Sequence, residues 1–192
     1  MPPGFYGNSH LYKWRPDSPE SRVWHDKREK IWEELLQEGD RAVGVIGAAM
    51  VDEAIVWAIK RRLRKDRETD RILDPSAGPL GSASARIRLA YVLGVVGQKH
   101  YGDLNIINDI RNKFAHNTLI DDNHHKPAKV TFKTQIIADW CKNLWLPKQS
   151  PKGGAKTPRD LYTVTVHYLA GMLWQEYWHR EIDVIESAGL SD

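Results

Sequence analysis

Apolar residues recur three and four positions apart along most of the chain after about residue 20, which places them on one face of an α-helix. No stretch alternates apolar and polar residues in the way a half-buried β-strand does. We therefore expect an all-α fold, a single compact bundle of about five to seven helices without a β-sheet. The expected helices cover approximately residues 21–38, 40–65, 85–94, 103–116, 130–145 and 158–186.

Residues 1–20 differ in composition from this helical domain of residues 21–192. Proline fixes the backbone and lacks an N–H donor, so a proline-rich stretch resists regular structure. The prolines are Pro2, Pro3, Pro16 and Pro19, and they are interspersed with Phe5, Tyr6, Tyr12 and Trp14. We expect an extended N-terminal arm, which is apolar enough to lie across the domain or across a neighbouring subunit.

Composition limits the classes of function. The 192 residues are 41% apolar and carry a net charge of +3, enough for one buried core and only mildly basic. Cys141 is the single cysteine, which rules out an intramolecular disulfide and a cysteine-based zinc site. No signal pattern opens the chain, and the apolar run near residues 43–50 is short and broken by glycine. We expect a cytoplasmic protein that does not enter a membrane.

No cofactor or metal site stands out. Gly78 and Gly81 lack the following Lys-Ser/Thr of a phosphate-binding P-loop. The segment Asp121-Asp122-Asn123-His124-His125 holds potential ligands, but adjacent histidines ligate a single ion poorly. We interpret it as a surface loop.

The segment from Asp103 to His116 carries the most informative pattern. A core side is formed by Leu104, Ile107, Ile110 and Phe114, and a polar side by Asn108, Asn112 and His116. Arg111 lies at the border between the two sides. Arginine and histidine in this arrangement can hold and cleave a phosphodiester, with Arg111 neutralising charge on the oxygens and His116 transferring a proton. The same residues can instead bond backbone carbonyls and tie a loop to the bundle.

Two basic segments allow binding to phosphates. The first, residues 60–67, has six basic residues and one acidic residue, and its candidate contacts are Lys60, Arg61, Arg62, Arg64 and Lys65. Cations at the end of a helix are also favoured by the helix dipole, without any ligand. The second is the Pro- and Gly-containing stretch 147–158, with Lys148, Lys152 and Lys156. It is a basic loop that either contacts nucleic acid or serves solubility.

Two linked motifs resemble the signature of the mannitol operon repressor (MltR) family. The first is Gly78-Pro79-Leu80 with Ser82, Ser84-Ala85-Arg86-Ile87, Leu89-Ala90-Tyr91 and Leu93-Gly94. The second is Asp103-Leu104, Ile107 and Ile110-Arg111-Asn112-Lys113-Phe114-Ala115-His116. The family commonly has an aromatic residue where Ala83 stands and a serine where Gly81 stands. The resemblance implies a bacterial cytoplasmic regulatory protein that acts by self-association and by binding a macromolecular partner.

The spacing of Arg111 and His116 also resembles the Arg-x4-6-His motif of HEPN domains. That resemblance implies an all-helical dimer and, in active members, a metal-independent endoribonuclease that leaves a 2′,3′-cyclic phosphate. His116 would be its acid and base, Arg111 would stabilise the phosphate, and Asn112 would orient one of them. Positions five apart on a helix differ by about 140°, so a catalytic site would need a helix end or a second copy of the chain.

The partner is therefore expected to be a protein or a nucleic acid, with RNA favoured over DNA. No helix-turn-helix pattern is present, so a repressor would act through a partner. A sequence-specific DNA-binding repressor would show duplex binding that depends steeply on salt.

Overall fold

The computed structural model describes the backbone of residues 19–116, 130–149 and 155–188, and the side chains of residues 26–116, 130–148 and 155–174. Within this part the chain forms seven α-helices and one short 3-10 helix, with no strand, which confirms the expected all-α bundle. The helices are α1 (Pro19–Leu36), α2 (Asp40–Lys60), α3 (Arg67–Leu73), α4 (Ala83–Val92), α5 (Gln98–His116), α6 (Gln135–Asn143) and α7 (Pro158–Ala188). The 3-10 helix spans Leu146–Gln149.

Several predicted helix ends are wrong, and near α2, α4 and α6 a local polar contact overrides the apolar periodicity. Helix α1 begins at Pro19 rather than at Ser21, so the end of the predicted arm is already helical. Helix α2 ends at Lys60 rather than near Lys65, because Asp66 accepts hydrogen bonds from the N–H groups of Glu68 and Thr69 and starts α3. The rest of the predicted arm, residues 1–18, lies outside the described residues.

The start of α4 and the start of α6, which lies within the predicted helix 130–145, also differ from the prediction. Ser82, and not Ser84, caps α4 by accepting a hydrogen bond of 3.2 Å from the N–H of Ala85. Helix α6 begins only at Gln135 because the backbone before it turns, and the N–H of Phe132 donates to Asp40 Oδ2 at 2.9 Å. This contact fixes the turn before α6 against the N-terminus of α2.

Helix α2 is the centre of the bundle and packs against α7, α5, α4 and α1. Its glycines allow the neighbouring helices to approach closely, as the cluster of small residues predicts. A Cβ atom at Gly44 would overlap the ring of Phe114 on α5, and one at Gly47 would lie 3.3 Å from Val166 on α7. Tyr162 on α7 is buried, and its hydroxyl donates to the carbonyl of Gly44 at 2.7 Å.

These contacts also fix the helix directions. Helix α7 runs parallel to α2, since Arg159 meets Asp40 at one end and Trp174 meets Trp57 at the other. The last turn of α5 lies beside the first turn of α2, where Arg41 Nη2 is 3.4 Å from the carbonyl oxygen of Ala115. The N-termini of α2 and α7 and the C-terminus of α5 therefore share one end of the bundle.

By length and composition alone, α2 also meets the criteria for a membrane span, with a mean hydropathy of 1.8 over its most apolar window. The sequence alone predicts no span, because the apolar run near residues 43–50 is short and broken by glycine. A central core helix has the same composition, and nine residues of α2 are buried against its neighbours. The observation is weak evidence for a membrane, and the described packing accounts for the buried side of the helix.

Candidate functional site

Helix α5 separates a buried side from a polar side, as its sequence predicts. Leu104, Ile107, Ile110 and Phe114 are all buried in the core. Asn108 lies at the edge of this packing, where its Nδ2 donates to Ser84 Oγ at 3.3 Å. The apolar face thus fixes how the helix presents its last two turns.

The three residues of the Arg-x4-His motif lie on the surface side of those turns. Arg111 and His116 are exposed and Asn112 is half-buried. Arg111 Nη1 donates to Asn112 Oδ1 at 3.0 Å, so the amide of Asn112 holds the guanidinium. Among the contacts of the described residues, Arg111 forms no tie to a backbone carbonyl.

One copy of the chain does not bring Arg111 and His116 together. Helix α5 continues unbroken to His116, so the directions of the two side chains differ by about 140° around its axis. A catalytic pair would therefore need one residue from each of two copies. Arg111 and His116 are each exposed, as such chemistry requires, but the two side chains could meet only if a second chain contributed one of them.

Other residues of the two sequence motifs hold the fold together. Arg86 is buried and pairs with Asp52 through Nε at 2.9 Å and Nη2 at 2.5 Å, while its Nη1 donates to the carbonyl of Gly81 at 2.6 Å. This network fixes the turn-rich loop before α4. Because an arginine with these partners is fully occupied inside the fold, Arg86 is a structural residue.

Asp103 performs a similar task at the other end of α5. It is buried and accepts hydrogen bonds from the backbone N–H groups of Trp145 at 2.7 Å and Leu146 at 3.1 Å. Burial raises the pKa of Asp103, whereas these two hydrogen bonds and the nearby His100 and Lys148 oppose the rise. The sequence indicated no role for Asp103. An acidic residue next to a core stripe is nevertheless a signal, because a buried carboxylate has to accept hydrogen bonds from nearby N–H or O–H groups.

The basic segment 60–67 lies at the opposite end of α2. Lys60 Nζ pairs with Asp70 at 2.6 Å and lies 5.5 Å from the ring centre of Trp57, and Arg64 pairs with Asp66 at 3.3 Å. Lys65 and Arg61 line the same open groove. Gly44, which contacts α5, is separated from Lys60 by about 24 Å of helix. On one chain, this segment therefore does not extend the Arg111 and His116 surface.

The lysines of the second basic segment are divided between the two ends of α5. Lys148 is exposed in the 3-10 helix and lies near Asp103 in the first turns of α5. Lys156 is exposed just before α7 begins at Pro158, and its backbone N–H donates to Asp160 Oδ2 at 3.2 Å. Lys152 lies outside the described residues. Only Lys156 joins the end of the bundle that carries His116.

Asp40 brings together a basic surface at that end. The sequence named Arg111, His116 and Lys156 as candidates but did not indicate that they share one end of the bundle. Asp40 Oδ1 accepts from Arg159 Nη1 at 2.8 Å and its Oδ2 accepts from the N–H of Phe132, so the starts of α7 and of the α6 turn meet at α2. Exposed Lys133 and Lys156 thereby come to the end where α5 terminates. We call Arg41, Arg111, Lys113, His116, Lys133 and Lys156 the α5-end surface.

The α5-end surface is basic but bordered by acids, since Glu38 and Asp109 are exposed nearby. Its members come from four separate parts of the chain, which explains why no charge run in the sequence marked it. Arg159 is not counted, because it bonds the carbonyls of Leu36 and Glu38 as well as Asp40. The surface offers separated cations suited to several phosphates along a strand.

Other candidate chemistry is weak in the described part of the chain. Cys141 is buried, and burial raises the pKa of its thiol to about 12, so it is a poor nucleophile. No group of three or more His, Cys, Asp or Glu residues suited to a metal occurs among the described residues. The segment 121–125, interpreted as a surface loop, lies outside them.

Comparisons with known proteins identify no relative. No family model matches the chain, and neither a curated protein nor a solved structure matches it.

Proposed function

We propose that the protein is a cytoplasmic bacterial regulator, similar to the mannitol operon repressor family, that self-associates and binds a macromolecular partner through the α5-end surface. The partner is a polyanion, with RNA ahead of DNA and of an acidic protein. The supporting observation is that some residues of the two sequence motifs stabilise the fold while others are exposed. Arg86 and Asp103 are used inside the fold, whereas Arg111 and His116 are exposed and take no part in its buried ties.

Separated cations favour a strand of phosphates over a single small anion. Lys133 and Lys156 reach this end from different chain segments, and both are exposed. A phosphate backbone gains from each such cation through counterion release, which makes binding depend on salt. A compact anion would instead need the cations to converge on a pocket.

Binding of a mixed RNA pool tests this proposal. We expect the pair Lys133→Ala and Lys156→Ala to weaken binding and to reduce the salt dependence by about two released counterions. Lys142→Ala is the matched control, because Lys142 is an exposed lysine on α6 whose described partner is Asp139. Equal losses in the control would contradict a localised surface. If the wild type binds no RNA but binds an acidic protein, the partner is an acidic protein and not RNA.

The second candidate function is a metal-independent endoribonuclease. It is favoured by the 3.0 Å hydrogen bond from Arg111 to Asn112, which holds a guanidinium at the surface as phosphate stabilisation requires. Incubation of the RNA pool with the protein in EDTA separates the two functions. Cleavage that Arg111→Ala and His116→Ala abolish while both variants stay folded would favour the enzyme, and intact RNA bound by the wild type would favour the regulator.

A further inference from the structure

A groove at the junction of α2 and α3 lies at the opposite end of α2 from the α5-end surface. It has a volume of about 400 Å³, which is within the range of pockets that bind small molecules. The ring of Trp57 lines it, together with four cations and two carboxylates that leave a net charge of +2. The charged residues are Lys60, Arg61, Arg64, Lys65, Asp66 and Asp70. We call this site the α2–α3 groove.

The fold holds the walls of the α2–α3 groove in place. Asp66 Oδ1 accepts a hydrogen bond of 3.1 Å from the N–H of Thr69, and the hydroxyl of Thr69 donates to the carbonyl of Arg64. Lys60 Nζ at the end of α2 bonds to Asp70 Oδ1 on α3 at 2.6 Å. These contacts join the two helices across the turn between them, so the groove is formed without a ligand, as sites for small molecules usually are.

The cations of this groove share one concave site, in contrast to the separated cations of the α5-end surface. Two of them, Lys60 and Arg64, form ion pairs with Asp70 and Asp66. The side chains of Asp70 and Arg64 are 68% and 89% exposed, and exposed ion pairs contribute little to stability. Either cation can therefore turn to an anionic ligand at a small cost in free energy.

We propose that the α2–α3 groove binds a phosphomonoester of a small molecule that contains a ring. At neutral pH the phosphate of such an ester carries a charge of about −1.5 to −2, which matches the net charge of the groove. The paired N–H donors of Arg61 and Arg64 suit phosphate oxygens. Trp57 supplies apolar aromatic surface for the ring, and Trp174 supports it at a ring-centre distance of 5.8 Å. Nucleoside monophosphates and sugar phosphates both combine these two groups.

Isothermal titration calorimetry of the full chain with four ligands tests the chemistry of the site. The ligands are AMP, glucose 6-phosphate, inorganic phosphate and adenosine. We expect one of the two esters to bind at least about tenfold more tightly than inorganic phosphate and adenosine, because each of these two lacks either the ring or the phosphate. The ester that binds more tightly identifies the kind of ring that contacts Trp57.

Removal of an acid from the groove should make binding tighter. Asp70→Asn removes a carboxylate and weakens its hold on Lys60, so the preferred ester should bind about fivefold to tenfold more tightly. Glu68→Gln is the matched control, because Glu68 is an exposed acid on α3 that pairs with Arg71 and does not line the groove. Its affinity should stay within about twofold of the wild type. A role of Asp70 in the fold alone would give no gain in affinity.

Removal of cations should have the opposite effect. Lys60→Gln combined with Arg64→Gln should weaken binding of the ester about a hundredfold, which is about tenfold for each lost charge. Arg71→Gln, which changes an exposed cation outside the groove, should bind like the wild type. Trp57→Leu should lower the affinity for the ester to that for inorganic phosphate. Because Trp57 also packs against the core, thermal melts accompany each variant, and the two surface cations test the site if Trp57→Leu does not fold.

Three results would overturn the inference, which concerns a surface that the proposed function does not use. Equal affinities for both esters and inorganic phosphate would mean that the groove holds an anion without a site for a ring. Ester binding that is absent, or that Lys60→Gln with Arg64→Gln leaves unchanged, would mean that the groove is not a phosphate site. If no ester binds and this double variant loses RNA binding, the groove belongs to an RNA-binding surface. RNA binding through the α5-end surface is measured separately with Lys133→Ala and Lys156→Ala, so failure of one proposal does not imply failure of the other.

Discussion

Asp103 provides the sharpest test of the division between structural and surface residues on α5. Replacing it with alanine removes the acceptor for the N–H groups of Trp145 and Leu146, at 2.7 and 3.1 Å. A hydrogen bond to a charged group contributes about 1.5–3 kcal/mol, and the desolvated carboxylate opposes part of this gain. We therefore expect Asp103→Ala to lower the free energy of unfolding by about 3 kcal/mol. The melting temperature should fall by about 6–12 °C.

Urea denaturation of matched variants is the appropriate assay. Asp103→Asn keeps one carbonyl oxygen as an acceptor, so we expect roughly half the loss. Asp109→Ala lies on the same helix, and since Asp109 is exposed its effect should stay within about 0.5 kcal/mol. If Asp103→Ala lowered the free energy of unfolding as little as Asp109→Ala, the hydrogen bonds from Trp145 and Leu146 to Asp103 would not stabilise the fold as described.

Three further predictions concern the core. Burial lowers the pKa of His100 below 6.5 in the folded state. As the pH falls, His100 of the unfolded chain is therefore protonated before His100 of the folded chain, so the free energy of unfolding of the wild type should decrease below pH 6.5. His100→Phe lacks this group, so its free energy of unfolding should decrease less. Urea denaturation above and below that pH measures the difference. Gly44→Ala should lose about 1–2 kcal/mol because its Cβ overlaps Phe114, and Gly47→Ala should lose less on chemical denaturation. Cys141 should resist alkylation until the chain unfolds, as mass spectrometry would show.

The helical periodicity was sufficient to predict the fold class and the close packing at α2. Gly44 and Gly47 receive Phe114, Tyr162 and Val166, as small residues inside an apolar helix predict. The helix ends were less predictable because they depend on single polar contacts. The side chain of Asp66 accepts hydrogen bonds from the N–H groups of Glu68 and Thr69 and so starts α3. These hydrogen bonds compete with continuation of α2 through the same residues.

The candidate site was predictable only where its residues are close in sequence. The spacing of Arg111, Asn112 and His116 on one helix identified them, and all three lie at the surface side of α5. Lys156 was already a candidate from the basic stretch that contains it, whereas Lys133 was separable from other surface lysines only through Asp40, which accepts a hydrogen bond from the neighbouring Phe132. Such tertiary ties carry no local pattern, so charge runs drew attention to residues 60–67 instead.

The most direct measurement of the central claim is the dissociation constant of the RNA pool for wild type, Arg111→Ala and Lys142→Ala, with a thermal melt of each. We expect Arg111→Ala to weaken RNA binding about tenfold, because one charge-assisted phosphate contact is lost, and to leave the melting temperature nearly unchanged. Lys142→Ala should bind as wild type. If the wild type binds no RNA, or if Arg111→Ala binds normally but melts at a much lower temperature, then Arg111 is not part of an RNA-binding surface.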